Sequence, residues 1–122
     1  MRPDGKEIIL KVKSFNFAVR VTRLYKYILE NKHENVLNKQ LLRSGTAIGA
    51  LVREAQNAES KPDFIHKLAI AQKECDEAIY WLELLETTDF ISKKEFESMN
   101  RDAIALLKMI RSAIITTKKA KG

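Results

Sequence analysis

Apolar residues recur at intervals of three and four along most of this chain, and short polar stretches interrupt the pattern. From residue 14 to 31, Phe17, Ala18, Val21, Leu24, Tyr25, Ile28 and Leu29 fall on one helical stripe, with Ser14 placed to cap its start. Upstream, Ile8, Ile9, Leu10 and Val12 fit either an extended arm or an early helical turn. Asn31 to Asn35 reads as a polar connection. A second helix is predicted over 36–58, where Leu37, Leu41, Ser44, Ile48, Leu51, Ala55 and Ala58 keep heptad spacing. Ser60-Lys61-Pro62-Asp63 then combines a cap, a proline suited to a first turn, and an acid suited to the helix dipole.

The third helix, 61–87, carries the cleanest heptad: Phe64, Leu68, Ala71, Cys75, Ala78, Leu82 and Leu85. A second, mixed line runs through Ile70, Glu74, Glu77, Trp81 and Leu84, as a rim or a second interface. Thr87-Thr88-Asp89 breaks the pattern, and Ser92 with Glu95 forms a capping-box signature. The fourth helix, 92–119, places Phe96, Met99, Ala103, Leu106, Ile110 and Ala113 inward, widened by Ile104, Leu107 and Ile114. Lys118, Lys119 and Lys121 should fray.

Four amphipathic helices with short connections predict an all-α, up-down-up-down antiparallel four-helix bundle. The 122 residues hold two prolines and four glycines, and two of those glycines stand at positions 5 and 122, so breakers are nearly absent from the interior. No hairpin signal, repeat or linker divides the chain, and residues 1–122 read as one domain large enough to need neither disulfide nor metal.

Gly45 and Gly49 are exceptions inside the second helix, where each costs about 1 kcal/mol against alanine. They map to the flank of its apolar stripe. With Ser44, Thr46, Ala47 and Ala50 they keep the segment thin enough for another backbone to approach. A crossing inside the bundle is favoured over a crossing between subunits. A phosphate loop does not fit, because no strand precedes the glycines and no Lys-Ser/Thr follows them.

Charge is unevenly distributed. Residues 1–61 hold 12 Lys/Arg and 6 Asp/Glu, residues 62–89 hold 2 and 7, and residues 90–122 hold 8 and 3. Composition favours an acidic helix packed between basic ones; the sharper alternative is a basic face for nucleic acid or an acidic partner. The candidate phosphate-binding residues are Arg20, Arg23, Lys26, Lys39, Arg43 and Arg53, supported by the C-terminal lysines.

Other chemistry finds little footing. A di-iron bundle needs two Glu-x-x-His pairs and two further inward glutamates. Here Glu30 and His33 lie at a helix end, Asp63 and His66 lie in a first turn, and no metal or other cofactor is expected. Cys75 holds a heptad core position beside Glu74, Asp76 and Glu77, which disfavours a thiolate nucleophile. Two poorly placed histidines support no catalytic triad, and no enzyme is expected. Tyr80 and Trp81 could stack on bases but suit a core or interface. A single cysteine, a start without an apolar signal region and the lack of a run of about 20 apolar residues point to a cytoplasmic protein with no membrane partner.

The run QLLRSGTAIGALVREAQNAESKPDFIHKLAIAQKECDEAIYWLELL closely resembles a family of small bacterial four-helix-bundle proteins whose founding members are encoded in intervening sequences of 23S rRNA genes. LLRSGTAIGA, REAQNAESKPDFIHKL and AIYWLELL carry it most strongly, over about 36–91; the outer helices match in pattern only. Leu51-Val52-Arg53 departs from the family's usual sequence after the second glycine. The resemblance implies a ring-forming homo-oligomer, a pentamer. It also points to a relative, the accessory variability determinant protein of diversity-generating retroelements, a basic pentamer that binds a reverse transcriptase and nucleic acid. The expected function is therefore a non-enzymatic oligomer that binds nucleic acid, RNA ahead of DNA, through basic helix faces. The alternative is a protein-interaction scaffold, such as an accessory ring for a reverse transcriptase.

Overall fold

The computed structural model describes residues 5–120, which fold into α1 (Gly5–Lys32), α2 (Val36–Gln56), α3 (Lys61–Thr87) and α4 (Lys93–Lys119). Connections at 33–35, 57–60 and 88–92 are too short for anything but antiparallel neighbours. Helix α1 packs on α2 and α4, and α3 packs on the same two, so α1 and α3 face each other only diagonally. This is the four-helix bundle that the apolar pattern predicts. Among the described residues no helix is long and apolar enough to cross a membrane.

The first helix begins earlier than the stripe over 14–31 suggests. Nothing after Gly5 breaks a helix, and Leu10, Ser14, Phe17, Val21 and Ile28 share its buried face at heptad spacing. Ser14 is therefore an interior residue, not a cap; its hydroxyl donates to the Lys11 carbonyl at 3.1 Å. The second helix ends at Gln56, two residues short of its predicted end, and Ala58 packs on the core from the turn.

Caps account for the other boundaries. Ser60 Oγ accepts from the Asp63 amide at the start of α3. Ser92 and Glu95 form a reciprocal capping box at the start of α4, so α4 proper begins at Lys93. The start of α2 is solved differently. Asn35 occupies the cap position without a side-chain bond, while the Glu34 carboxylate accepts from the amides of Val36, Leu37 and Asn38. A carboxylate there also suits the positive end of the helix dipole. His33 and Asp89 adopt positive φ, 56° and 68°, and turn the chain at two helix ends. Buried Asn38 ties α2 to α1 by donating to the Tyr25 carbonyl at 2.9 Å.

Gly45 and Gly49 are buried, not on a flank, because α2 lies between two helices and its covered arc is wider than one stripe. Both face α1. A Cβ at Gly45 would fall 2.8 Å and 2.9 Å from the two γ-methyls of Val21. A Cβ at Gly49 would fall 3.3 Å from the Ser14 carbonyl oxygen. These are contacts within one chain, and they let α1 and α2 cross closely.

Candidate nucleic-acid interface

The six basic residues singled out by the sequence are spread around the bundle. Arg43, on α2, reaches across to α3. It donates to Glu74 at 2.8 Å and also bonds Glu77, which in turn accepts from Trp81 Nε1 at 3.3 Å. Glu74 is nearly buried, its side chain 11 % exposed, so Arg43 compensates a charge that would otherwise be costly there. The mixed line on α3 is thus the α2–α3 seam. Arg53 stacks its guanidinium over Phe15 of α1, 5.4 Å from the ring centroid. Lys67 of α3 and Glu54 of α2 add a looser pair at 3.7 Å. Acidic α3 accordingly meets its basic neighbour partly through intramolecular pairs.

The opposite seam, between α1 and α4, is different. Arg20 pairs with Asp102 at 2.5 Å and donates to the Ser98 hydroxyl at 2.8 Å. One turn along α1, Arg23 is exposed and has no acidic partner among the described residues. Both arginines line a shallow cavity of about 470 Å³ with Tyr27, Lys94, Glu95 and Ser98. Asp102 is matched by Arg20, and Arg23 and Lys94 outnumber the one remaining carboxylate, Glu95, which stays in the capping box, so the groove is net positive. Tyr27 is 44 % exposed beside them and presents an aromatic face. Lys26 and Lys39 are also exposed, outside this groove.

Sequence reasoning missed Lys94 and Tyr27. Lys94 sits inside the Ser92–Glu95 capping box, a motif whose local role drew attention from its charge. Tyr27 is three residues from Leu24 and four from Arg23, a spacing that would have put it on the arginine row.

The remaining candidates do not gather. His33 and His66 are both exposed, and among the described residues no group of three His, Cys, Asp or Glu could hold a metal ion. Cys75 is fully buried and donates to the Ala103 carbonyl at 3.2 Å. Burial, reinforced by the nearby Asp76 charge, pushes its thiol up to about 12. Tyr80 and Trp81 meet edge to face, with ring centroids 5.0 Å apart.

Comparison with known proteins bears on this geometry. The sequence model described as 23S rRNA-intervening sequence protein matches residues 6–112. A crystal structure at 1.70 Å of a protein from Bacteroides thetaiotaomicron VPI-5482, described as of unknown function and from the S23 ribosomal protein family, is similar with a TM-score of 0.88. The two share 49 % identity, over 89 % of this chain and 97 % of that one. No curated protein gives a significant match.

Proposed function

Because this chain belongs to the family of 23S rRNA-intervening sequence proteins, we propose that it works as a non-enzymatic, oligomeric helical bundle that binds nucleic acid, RNA ahead of DNA. The observation that carries the proposal is the α1–α4 groove. Arg23 and Lys94 come together there without acidic partners among the described residues, beside exposed Tyr27. Cations without intramolecular partners are the ones available to phosphates; Arg43, committed to Glu74 and Glu77, is not. Phosphate contacts of this kind give weak sequence preference and strong salt dependence, and an aromatic beside them offers a stacking platform for an unpaired base.

A second feature supports assembly. Ile8, Val12 and Phe15 are 54 %, 51 % and 52 % exposed, and with half-buried Val19 they form a heptad-spaced stripe on the side of α1 away from the core. One helix with an apolar stripe on both sides favours a homo-oligomer, with five copies as the count implied by the family likeness. The same stripe favours the scaffold reading, in which the assembly docks a protein such as a reverse transcriptase. A monomer mass by light scattering at micromolar concentration would overturn the assembly.

The test of RNA binding compares two doubly charge-reversed variants. Arg23→Glu with Lys94→Glu should lower affinity for a structured RNA at least about tenfold. Lys39→Glu with Lys73→Glu, the same change in net charge on exposed positions elsewhere, should lower it less than about threefold. Equal losses from the two pairs would reduce the groove to a share of the general positive charge and overturn its assignment.

A further inference from the structure

At the end of the bundle where α1 begins and α4 finishes, all four helices surround an open cavity of about 580 Å³. It exists because α1 and α4 are the most loosely packed of the neighbouring pairs. Its floor is apolar: Leu10, Val52, Phe64, Leu68, Met109 and Ala113, one or two from each helix. Leu10, Phe64 and Leu68 are themselves almost completely buried, so the floor is continuous with the core. Its edge is polar. Lys6 from α1 and Lys108 from α4 both line it, with the hydroxyl-bearing Ser112 and Thr116 nearby. Both lysines are exposed and neither has an ion-pair partner among the described residues. Glu7 is the one carboxylate in the lining among the described residues, and its main-chain carbonyl is tied down by Gln56 Nε2 at 2.7 Å.

An apolar floor with a small number of polar groups at its edge, in this size range, is what small-molecule sites are made of. Water gains little from such a floor, and a hydrocarbon chain gains much. A wholly apolar ligand would leave the two ammonium groups unanswered. We infer that this cavity binds a linear acyl carboxylate, its chain on the floor and its carboxylate at Lys6 and Lys108. The site lies at the far end of the bundle from the Arg23–Lys94 groove and stands independently of the RNA-binding reading.

Dodecanoate is a suitable probe, used below its micelle concentration on the assembled full-length chain, with binding followed by titration calorimetry. Saturable binding of one molecule per chain is expected. Decanoate, two methylenes shorter, should bind about tenfold more weakly, because each buried methylene is worth roughly three- to fourfold in affinity. Lys6→Ala with Lys108→Ala should weaken dodecanoate at least about tenfold and leave dodecanol nearly unchanged. Ala113→Trp, which fills the floor, should abolish binding; the chain-length comparison on the unaltered protein stands even if that variant misfolds. Three results would each overturn the assignment: failure of dodecanoate to saturate below about 1 mM, where specific binding is already weak; equal affinity for the two chain lengths; or an unchanged dodecanoate affinity in the lysine variant.

Discussion

Replacing Gly45 with alanine sets two effects of known size against each other. Alanine is favoured over glycine in a helix by about 1 kcal/mol, so an unobstructed position would gain stability. Here the new methyl would lie 2.8 Å and 2.9 Å from the Val21 γ-methyls and 3.2 Å from Val21 Cβ. Rotating Val21 about χ1 cannot clear it, because Cβ stays where it is and valine always presents two methyl groups. The helices must move apart, and overpacking of this kind costs about 1–3 kcal/mol. With the helix gain subtracted, Gly45→Ala should destabilise by about 1 kcal/mol, and by no more than about 2 kcal/mol. Val21→Ala alone removes two fully buried methyls and should cost about 2 kcal/mol. Together they should cost only about 1 kcal/mol, because the added methyl enters the space left by the removed ones. The coupling is then about 2 kcal/mol. Urea unfolding followed by circular dichroism, at one fixed protein concentration, measures all four corners of the cycle. A Gly45→Ala variant more stable than the parent, or effects additive within about 0.5 kcal/mol, would refute the close-crossing argument.

Two further outcomes follow from buried groups. Arg43→Ala strands Glu74 in a nearly buried position and should destabilise by about 1–2 kcal/mol, a figure held down by the half-exposed arginine; Glu74→Gln in that background should recover part of the loss in the same urea assay. Cys75 should resist iodoacetamide at about pH 8 in the folded protein and react only after unfolding, as read by mass spectrometry. Its thiol is raised in the fold from 9.0 to about 12, so the folded state holds the proton more tightly. Its contribution to stability is complete below about pH 9 and is lost as pH rises from 9 toward 12; a Cys75→Ala variant should show a flatter decline over that range.

What the sequence revealed and what it hid have physical reasons. Heptad spacing made the four helices and the buried row from Phe64 to Leu85 legible, and the caps at Ser60 and Ser92 are local, so they could be read without a fold. The start of α1 was hidden because polar Ser14 interrupts an apolar row and looks like a cap, whereas in the fold it is fully buried with its hydroxyl bonded to the Lys11 carbonyl of its own helix. The positions of Gly45 and Gly49 were misjudged because a bundle helix meets two neighbours, and a single stripe marks only part of its covered arc. Charge was hardest to read. Arg20, Arg43 and Arg53 look alike in sequence, yet one pairs with Asp102, one bridges two glutamates and one lies on Phe15. Partners 31 to 82 residues away decide which cations remain available, and no local pattern reports them.

The central claim is that cations left unpaired in the α1–α4 groove bind nucleic-acid phosphates. The affinity for a structured RNA, measured across a salt series on protein of known assembly mass, tests it most directly. Two phosphates neutralised per chain, by Arg23 and Lys94, predict that log K falls linearly with log salt at a slope of about −1.4 to −1.8 for each chain engaged. No binding at low salt, or a slope near zero, would contradict the account and leave the exposed apolar stripe of α1 as the surface through which this bundle meets a protein partner.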